Sequence, residues 1–252
     1  MVSEDNQPAS ARRRVLVTGS SRGIGLELVR QYARDGYDVI ATCRKPERAT
    51  GLLKEASGEG VDASNAADGR GTVTVHQLDV SSEPELEALA AKLDGVPIDV
   101  LLCNAAAFGG NRSHFPDLDW TAWRRALEVN VIGTIGIAVA LWRNVAASAE
   151  HKMIFVSSRA GLPREATPNR SYIYTSSKAA LNAAARCLAL DLAPEGVIAA
   201  LVNPGHVQTG IGGAKAPMTV DESVAKLRSV IEQLTPADAG KFLHFDGREL
   251  PL

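Results

Sequence analysis

Short runs of branched apolar residues alternate along the chain with longer stretches in which apolar positions recur every three or four residues. Val15-Leu16-Val17, Val39-Ile40-Ala41, Val73-Thr74-Val75, Val100-Leu101-Leu102, Ile154-Phe155-Val156 and Ile198 to Val202 predict six strands. Ile24 to Arg34 and the stretches 83–93, 119–147, 171–193 and 221–233 predict helices between them. Strand alternating with helix over the whole length predicts an α/β fold: a doubly wound parallel sheet with helices on both faces. Residues 14–252 form a single domain on this reading, and residues 1–13 form a disordered polar tail. Segment 56–71 breaks the rhythm. It is rich in glycine, with Val61 its lone apolar residue beyond alanine, and it predicts a mobile loop insertion before the third strand, solvated rather than a substrate flap.

Composition narrows the function classes. With 45% hydrophobic and 22% charged residues in 252, the chain buries a sizeable core. Lys plus Arg is 27 against 29 Asp plus Glu, so no global charge points to nucleic acid, and Arg12-Arg13-Arg14 is a weak patch. The three cysteines (Cys43, Cys103 and Cys187) are far apart and form no C-x-x-C pair. That argues against a disulfide scaffold and a Cys-rich metal site, and fits a reducing, cytoplasmic compartment. No apolar run approaches the roughly 18 residues of a membrane span, and the polar N-terminus lacks a secretory apolar region. The expected partner is a small molecule, with no metal, nucleic acid or membrane.

The first strand runs into Thr18-Gly19-Ser20-Ser21-Arg22-Gly23-Ile24-Gly25 and then a helix. A G-x-x-x-G-x-G turn at the first strand–helix junction suits a dinucleotide pyrophosphate. Gly19 permits the tight turn, Gly23 the close approach of the phosphate, and Gly25 close packing of the helix, whose N-terminus faces the anion. This is the fingerprint of a Rossmann-type sheet. The second strand ends Thr42-Cys43-Arg44-Lys45, with no acidic residue to hold a ribose 2′-hydroxyl. Arg44, seconded by Arg22, instead suits a 2′-phosphate and predicts NADP(H).

Tyr174 and Lys178 form a Y-x-x-x-K pair at the start of an Ala-rich helix, one turn apart on one face. A neighbouring ammonium lowers a tyrosine pKa toward working pH and makes it a proton donor to a carbonyl oxygen. Tyr172 is a competitor in the wrong register. Ser157 and Ser158 end the fifth strand, where a hydroxyl can bond a substrate oxygen. Asn130 falls mid-helix, a poor place for asparagine, and reads either as a functional residue or as a structural amide bonding neighbouring backbone.

Together these residues resemble the short-chain dehydrogenase/reductase family over nearly the whole chain. The motifs are Thr18 to Gly25, Leu78-Asp79-Val80, Asn104-Ala105-Ala106, Asn130, Ser158, Tyr174, Lys178 and Asn203-Pro204-Gly205. The ends of the second strand and of the chain, and Tyr172-Ile173-Tyr174 with Ser176 to Asn182, are most similar to sniffer-type and C-factor-like carbonyl reductases. The resemblance implies Tyr174 as acid/base and Lys178 as ligand of the nicotinamide ribose. It implies Ser158 as the group orienting the carbonyl and Asn130 as holder of a relay water. Asp79 and Val80 would meet the adenine, Asn104 and Ala105 would line the cofactor cleft, and Val207 and Thr209 would bind the carboxamide. Asn104-Ala105-Ala106 departs from the usual Asn-Ala-Gly, and the Ser158–Tyr174 spacing is longer than the commonest.

The implied activity is NADPH-dependent reduction of a ketone or aldehyde. The alternatives are an alcohol-oxidising dehydrogenase and an NADP-binding regulatory protein with incidental turnover. The short segment Gly210 to Lys215 implies an open lid and broad acceptance. The helices at 119–147 and 172–193 pair subunits in such proteins and predict a homodimer or homotetramer.

Overall fold

The computed structural model describes residues 12–58, 69–110, 113–167 and 170–252. Most of the expected tail, and residues 59–68 of the expected loop insertion, lie outside the described residues. Among the described residues, seven parallel strands form the sheet: β1 (Arg14–Thr18), β2 (Asp38–Cys43), β3 (Val73–Gln77), β4 (Val100–Cys103), β5 (Lys152–Val156), β6 (Ile198–Asn203) and β7 (Phe242–His244). Their order is β3-β2-β1-β4-β5-β6-β7. Val17 pairs with Ala41 on one side and Leu102 on the other, so the order reverses at β1. In such sheets ligands bind outside the carboxyl ends of the strands at that reversal.

Helices α1 (Gly23–Arg34), α2 (Thr50–Ser57), α3 (Glu83–Lys92), α4 (Trp120–Leu127), α5 (Thr134–Ala146), α6 (Tyr172–Leu192) and α7 (Val220–Glu232) cover both faces. The period-2 alternation of the strands builds two apolar layers. Leu16, Leu101, Met153 and Leu201 pack with Leu86, Ile137, Leu141 and Leu181 of α3, α5 and α6. Val17, Leu102, Ile154 and Ala200 pack with Leu28, Tyr32 and Leu227 of α1 and α7. Strands β1, β2, β4, β5 and β6 are therefore buried on both faces, which is why the parallel pattern was readable, while the edge strand β3 is partly exposed.

The structure departs from the sequence reading in four places. β7 adds a seventh strand, three residues long, too short to stand out by alternation. α2 takes up the first two residues of the expected 56–71 loop, and Arg70 at its far end pairs with Glu55 of α2 at 2.7 Å. Arg12 and Arg13, expected in the tail, have partners: Arg13 Nη1 donates to Glu150 at 3.1 Å, and Arg12 lies 3.9 Å from Asp38. The expected single helix at 119–147 is interrupted by a π-helical segment, Glu128–Gly133, with Asn130 inside it.

The run Trp120–Ala146 has a mean hydropathy of 1.4 and is long and apolar enough to cross a bilayer by length and composition alone. Here its apolar face is spent on the sheet, with Ile137, Leu141 and Val145 fully buried.

Candidate active site

A cleft of about 820 Å³ opens at the carboxyl ends of the strands. Ile24, at the start of α1 beside the β1–α1 turn, lines it. Gly19 has φ +69°, and a Cβ on it would sit 2.8 Å from the Cα of Ala105. A Cβ on Gly25 would sit 2.3 Å from the Gly19 carbonyl oxygen. The turn is thus closed to side chains and presents backbone to the crevice. Asn104 locks it in place: its side-chain amide donates to the Thr18 carbonyl at 2.9 Å, while Thr18 Oγ1 accepts from the N–H groups of Asn104 and Ala105 at 2.9 and 3.1 Å.

No side chain caps the N-terminus of α1 at Arg22, and no acidic residue occupies its first turn. Ser21, Arg22 and Arg44 are exposed. Among the described residues, neither the Arg22 nor the Arg44 side chain makes a hydrogen bond or ion pair. Glycine cradle, uncapped helix start and unpaired guanidinium groups are the donor set that a phosphorylated dinucleotide needs, so the residues present fit NADP(H).

Asp79 and Val80 follow β3 beyond the cleft lining. The Asp79 carboxylate accepts from Ser81 N at 3.1 Å, Ser81 Oγ at 2.7 Å and Arg125 Nη2 at 2.7 Å. Partial burial works against its charge, but these bonds and the Arg125 cation prevail and hold it below the usual carboxylate range. Val80 is buried, its carbonyl against Gly133 of the π segment.

The wall of the cleft comes from β5 and α6. Ser158 lies two residues beyond the end of β5, and its hydroxyl accepts from Ala160 N at 3.1 Å. The Ser157 hydroxyl is turned away and donates to Asn182 Oδ1. Ser171 caps α6 by accepting from Tyr174 N at 3.1 Å, which starts the helix so that Tyr174 and Lys178 face the cleft together. Tyr172 points elsewhere, 49% exposed and packed edge-on to Trp123 with ring centroids 6.4 Å apart. Phe108 packs on Tyr174 at 5.4 Å between centroids.

Lys178 is buried, and its Nζ donates to the Val156 carbonyl at 2.8 Å. Burial pushes the lysine down to about 8. Burial pushes Tyr174 up to about 12, with the Ser158 hydroxyl pulling the other way. The expectation that Lys178 lowers the Tyr174 pKa is therefore reversed. Lys178 Nζ lies 5.9 Å from the tyrosine ring centre, and desolvation of the buried phenolate dominates.

The Asn130 side chain is fully engaged. Its Oδ1 accepts from Ala107 N at 2.7 Å, and its Nδ2 donates to Ala107 O at 2.8 Å and Ser177 Oγ at 2.9 Å. It fixes the chain after β4 against α6, one layer behind Tyr174. The amide thus bonds neighbouring backbone, one of the two roles its position suggested.

The cleft gathers Ile24, Asn104, Ser158, Tyr174, Lys178, Pro204, Gly205, Val207 and Thr209 from the residues singled out in the sequence. It does not include Gly19, Ser21, Arg22, Gly23, Gly25, Arg44, Asp79, Val80, Ala105 or Asn130. Thr209 Oγ1 accepts from Gly212 N at 3.1 Å, and its methyl group reaches toward Gly23 across the crevice. Sequence reasoning missed Phe108, Arg159, Arg170, His244, Phe245 and Arg248. His244 ends β7 and the others sit on segments after β4, β5 and β7 or before α6, which only the fold brings together. The one available signal was adjacency, since Arg159 follows Ser158 directly.

Comparison with known proteins agrees with this architecture. The sequence profile of the short chain dehydrogenase family matches residues 13–220. The C-signal protein of Myxococcus xanthus is 34% identical over 166 residues, 66% of this chain and 99% of that protein. A 1-hydroxy-2-glutathionyl-2-methyl-3-butene dehydrogenase of Rhodococcus is 32% identical over 240 residues, 92% of this chain and 96% of that one. Among solved structures, an NADPH-bound carbonyl reductase from chicken fatty liver superposes with a TM-score of 0.83 at 27% identity, covering 96% of this chain and 99% of that one. Carbonyl reductase Sniffer of D. melanogaster gives 0.82 at 27% identity, covering 96% and 100%. With the glycine turn, the seven-stranded order and the Ser158–Tyr174–Lys178 wall, the chain belongs to the short-chain dehydrogenase family of oxidoreductases.

Proposed function

We propose that this oxidoreductase is an NADPH-dependent reductase of ketone or aldehyde carbonyls, with Tyr174 as the proton donor. The observation that carries the reading is that the Tyr174 and Ser158 hydroxyls face one cleft, with buried Lys178 one helical turn behind the tyrosine. The carbonyl reductases among its structural neighbours, one of them bound to NADPH, support it.

Gly19, Ser21, Arg22, Gly23, Ile24 and Gly25 would hold the pyrophosphate at the start of α1, and Arg44 with Arg22 would take the 2′-phosphate. Asp79, Val80, Asn104 and Ala105 flank the adenosine side; Pro204, Gly205, Val207 and Thr209 flank the nicotinamide. Bound NADPH supplies the hydride. Ser158 Oγ donates to the carbonyl oxygen and aims it at Tyr174. Tyr174 gives its hydroxyl proton to that oxygen as the C=O bond is reduced to an alcohol. With its pKa near 12, Tyr174 stays fully protonated at neutral pH, the form reduction requires. Lys178 would bond the nicotinamide ribose and return a proton from its ammonium to Tyr174. Asn130 acts behind them, fixing the backbone at Ala107.

The test is a panel of aldehydes, ketones and dicarbonyls with NADPH and with NADH. Several carbonyl compounds should be reduced with NADPH, and with NADH far less. Tight NADPH binding without reduction of any compound would favour a regulatory protein instead.

A further inference from the structure

The cleft carries more positive charge than the reductase chemistry uses. Among the described residues, Arg159, Arg170, Lys178 and Arg248 line it and no Asp or Glu does. Lys178 has its task behind Tyr174. The three arginines are not on the glycine turn that faces the pyrophosphate. Arg159 follows Ser158, Arg170 precedes the cap of α6, and Arg248 follows β7. They line the same cleft as Ser158 and Tyr174.

Two of these guanidinium groups have one acidic partner each, lying outside the cleft lining. Arg159 Nη2 is 3.3 Å from Glu165, and Arg248 Nε is 3.1 Å from Asp246. Each pairing leaves other N–H groups of the fork unspent. Arg170 Nε donates to the neutral Thr167 hydroxyl at 3.2 Å. The cluster thus keeps one uncompensated positive charge, the complement of a singly charged anion.

His244 adds a neutral donor. It is 3% exposed and lines the same cleft. Its Nδ1 accepts from Phe245 N at 2.8 Å, which leaves the proton on Nε2, and no described residue accepts from that atom. Burial holds the ring below the ordinary histidine value; Asp246 opposes this, and Arg248 and Arg159 reinforce it. Arg159 and Arg248 line the same cleft as the His244 ring. Phe108 and Phe245 supply apolar walls alongside.

We propose that the preferred substrate is a carbonyl compound that also bears a carboxylate, held by Arg159, Arg170 and Arg248 with a hydrogen bond from His244. The proposal rests on the reductase reading and names its substrate class. Guanidinium forks match a carboxylate in plane, and a cleft lined by one sign of charge concentrates the opposite sign.

The experiment compares para-carboxybenzaldehyde with its methyl ester, which share the reacting carbonyl and differ in the charge. With NADPH saturating, kcat/KM should favour the acid by about tenfold or more, the worth of one charge-assisted bond, and the preference should shrink as salt rises. Arg248→Gln and Arg170→Gln should each lower kcat/KM for the acid several-fold more than for the ester. A ratio near one in the wild type, or a ratio that neither variant moves, overturns the proposal. If neither aldehyde is reduced, the reductase reading fails for these compounds. The anion site is then read by calorimetry of para-carboxybenzyl alcohol against its methyl ester, with NADP+ present. Tighter binding of the acid, lost in Arg248→Gln, sustains the site; equal binding overturns it.

Discussion

The Nζ of Lys178 donates to the carbonyl oxygen of Val156 at 2.8 Å, tying the helix that carries the tyrosine to the end of the strand that carries the serine. The same bond holds an amine in a dry place. Its pKa falls from 10.5 to about 8, so the charged form is disfavoured in the folded chain.

That cost shows in stability. Between about 8 and 10.5 the unfolded chain binds more protons at this lysine than the folded chain, so its contribution becomes less unfavourable as pH rises. Lys178→Met removes the buried charge and also a hydrogen bond. At pH 7 the variant should be more stable than wild type by about 1–2 kcal/mol, the burial cost less the lost bond. The gap should close as pH is raised toward 10.5. Urea unfolding of both proteins across that range checks it; a gap that widens contradicts the assignment.

The rate profile should carry the same lysine. The kcat/KM for NADPH reports the free enzyme. In the reductive direction it should decline above pH about 8 as Lys178 loses its charge, while Tyr174, near 12, remains protonated. Lys178→Arg should move that limb to higher pH. A limb that stays in place belongs to another group.

Arg44→Asp should weaken NADPH binding by about 2 kcal/mol, roughly thirtyfold, the worth of a charge-assisted pair. NADH should lose little or gain. Calorimetry of both cofactors reads the difference, and unchanged NADPH binding would remove Arg44 from the site.

Asn130→Ala deletes the bonds to Ala107 and Ser177 and leaves partly buried backbone groups of Ala107 without partners. The loss in stability should be about 2–4 kcal/mol. A denaturation midpoint unchanged from wild type would mean that the π segment holds without the amide.

The sheet was legible because β1, β2, β4, β5 and β6 are short apolar runs buried on both faces, and the helices between carry a 3.6-residue period. Tyr174 and Lys178 were legible because one helical turn fixes them on one face whatever surrounds them. β7 was not, because Phe242–His244 is too short to show a period. The π segment was not, because its residues are as apolar as those of the helices on either side; only Asn130 marked it. The sign of the Tyr174 shift was hidden for another reason. Sequence spacing put a cation nearby, but the depth of burial, which decides the contest, comes from packing of Phe108 and the strand ends. Arg159, Arg170 and Arg248 lie on three separate loops, and no local pattern brings them to one cleft.

The most direct measurement of the proposed chemistry is single-turnover oxidation of NADPH by a dicarbonyl, with wild type, Tyr174→Phe and Tyr172→Phe at saturating cofactor. Tyr174→Phe should bind NADPH nearly as wild type does and react at least ~100-fold more slowly, the low end for loss of a general acid. Tyr172→Phe, outside the cleft and against Trp123, should react nearly as fast as wild type. Full activity in Tyr174→Phe, or a dead Tyr172→Phe, would contradict Tyr174 as the proton donor.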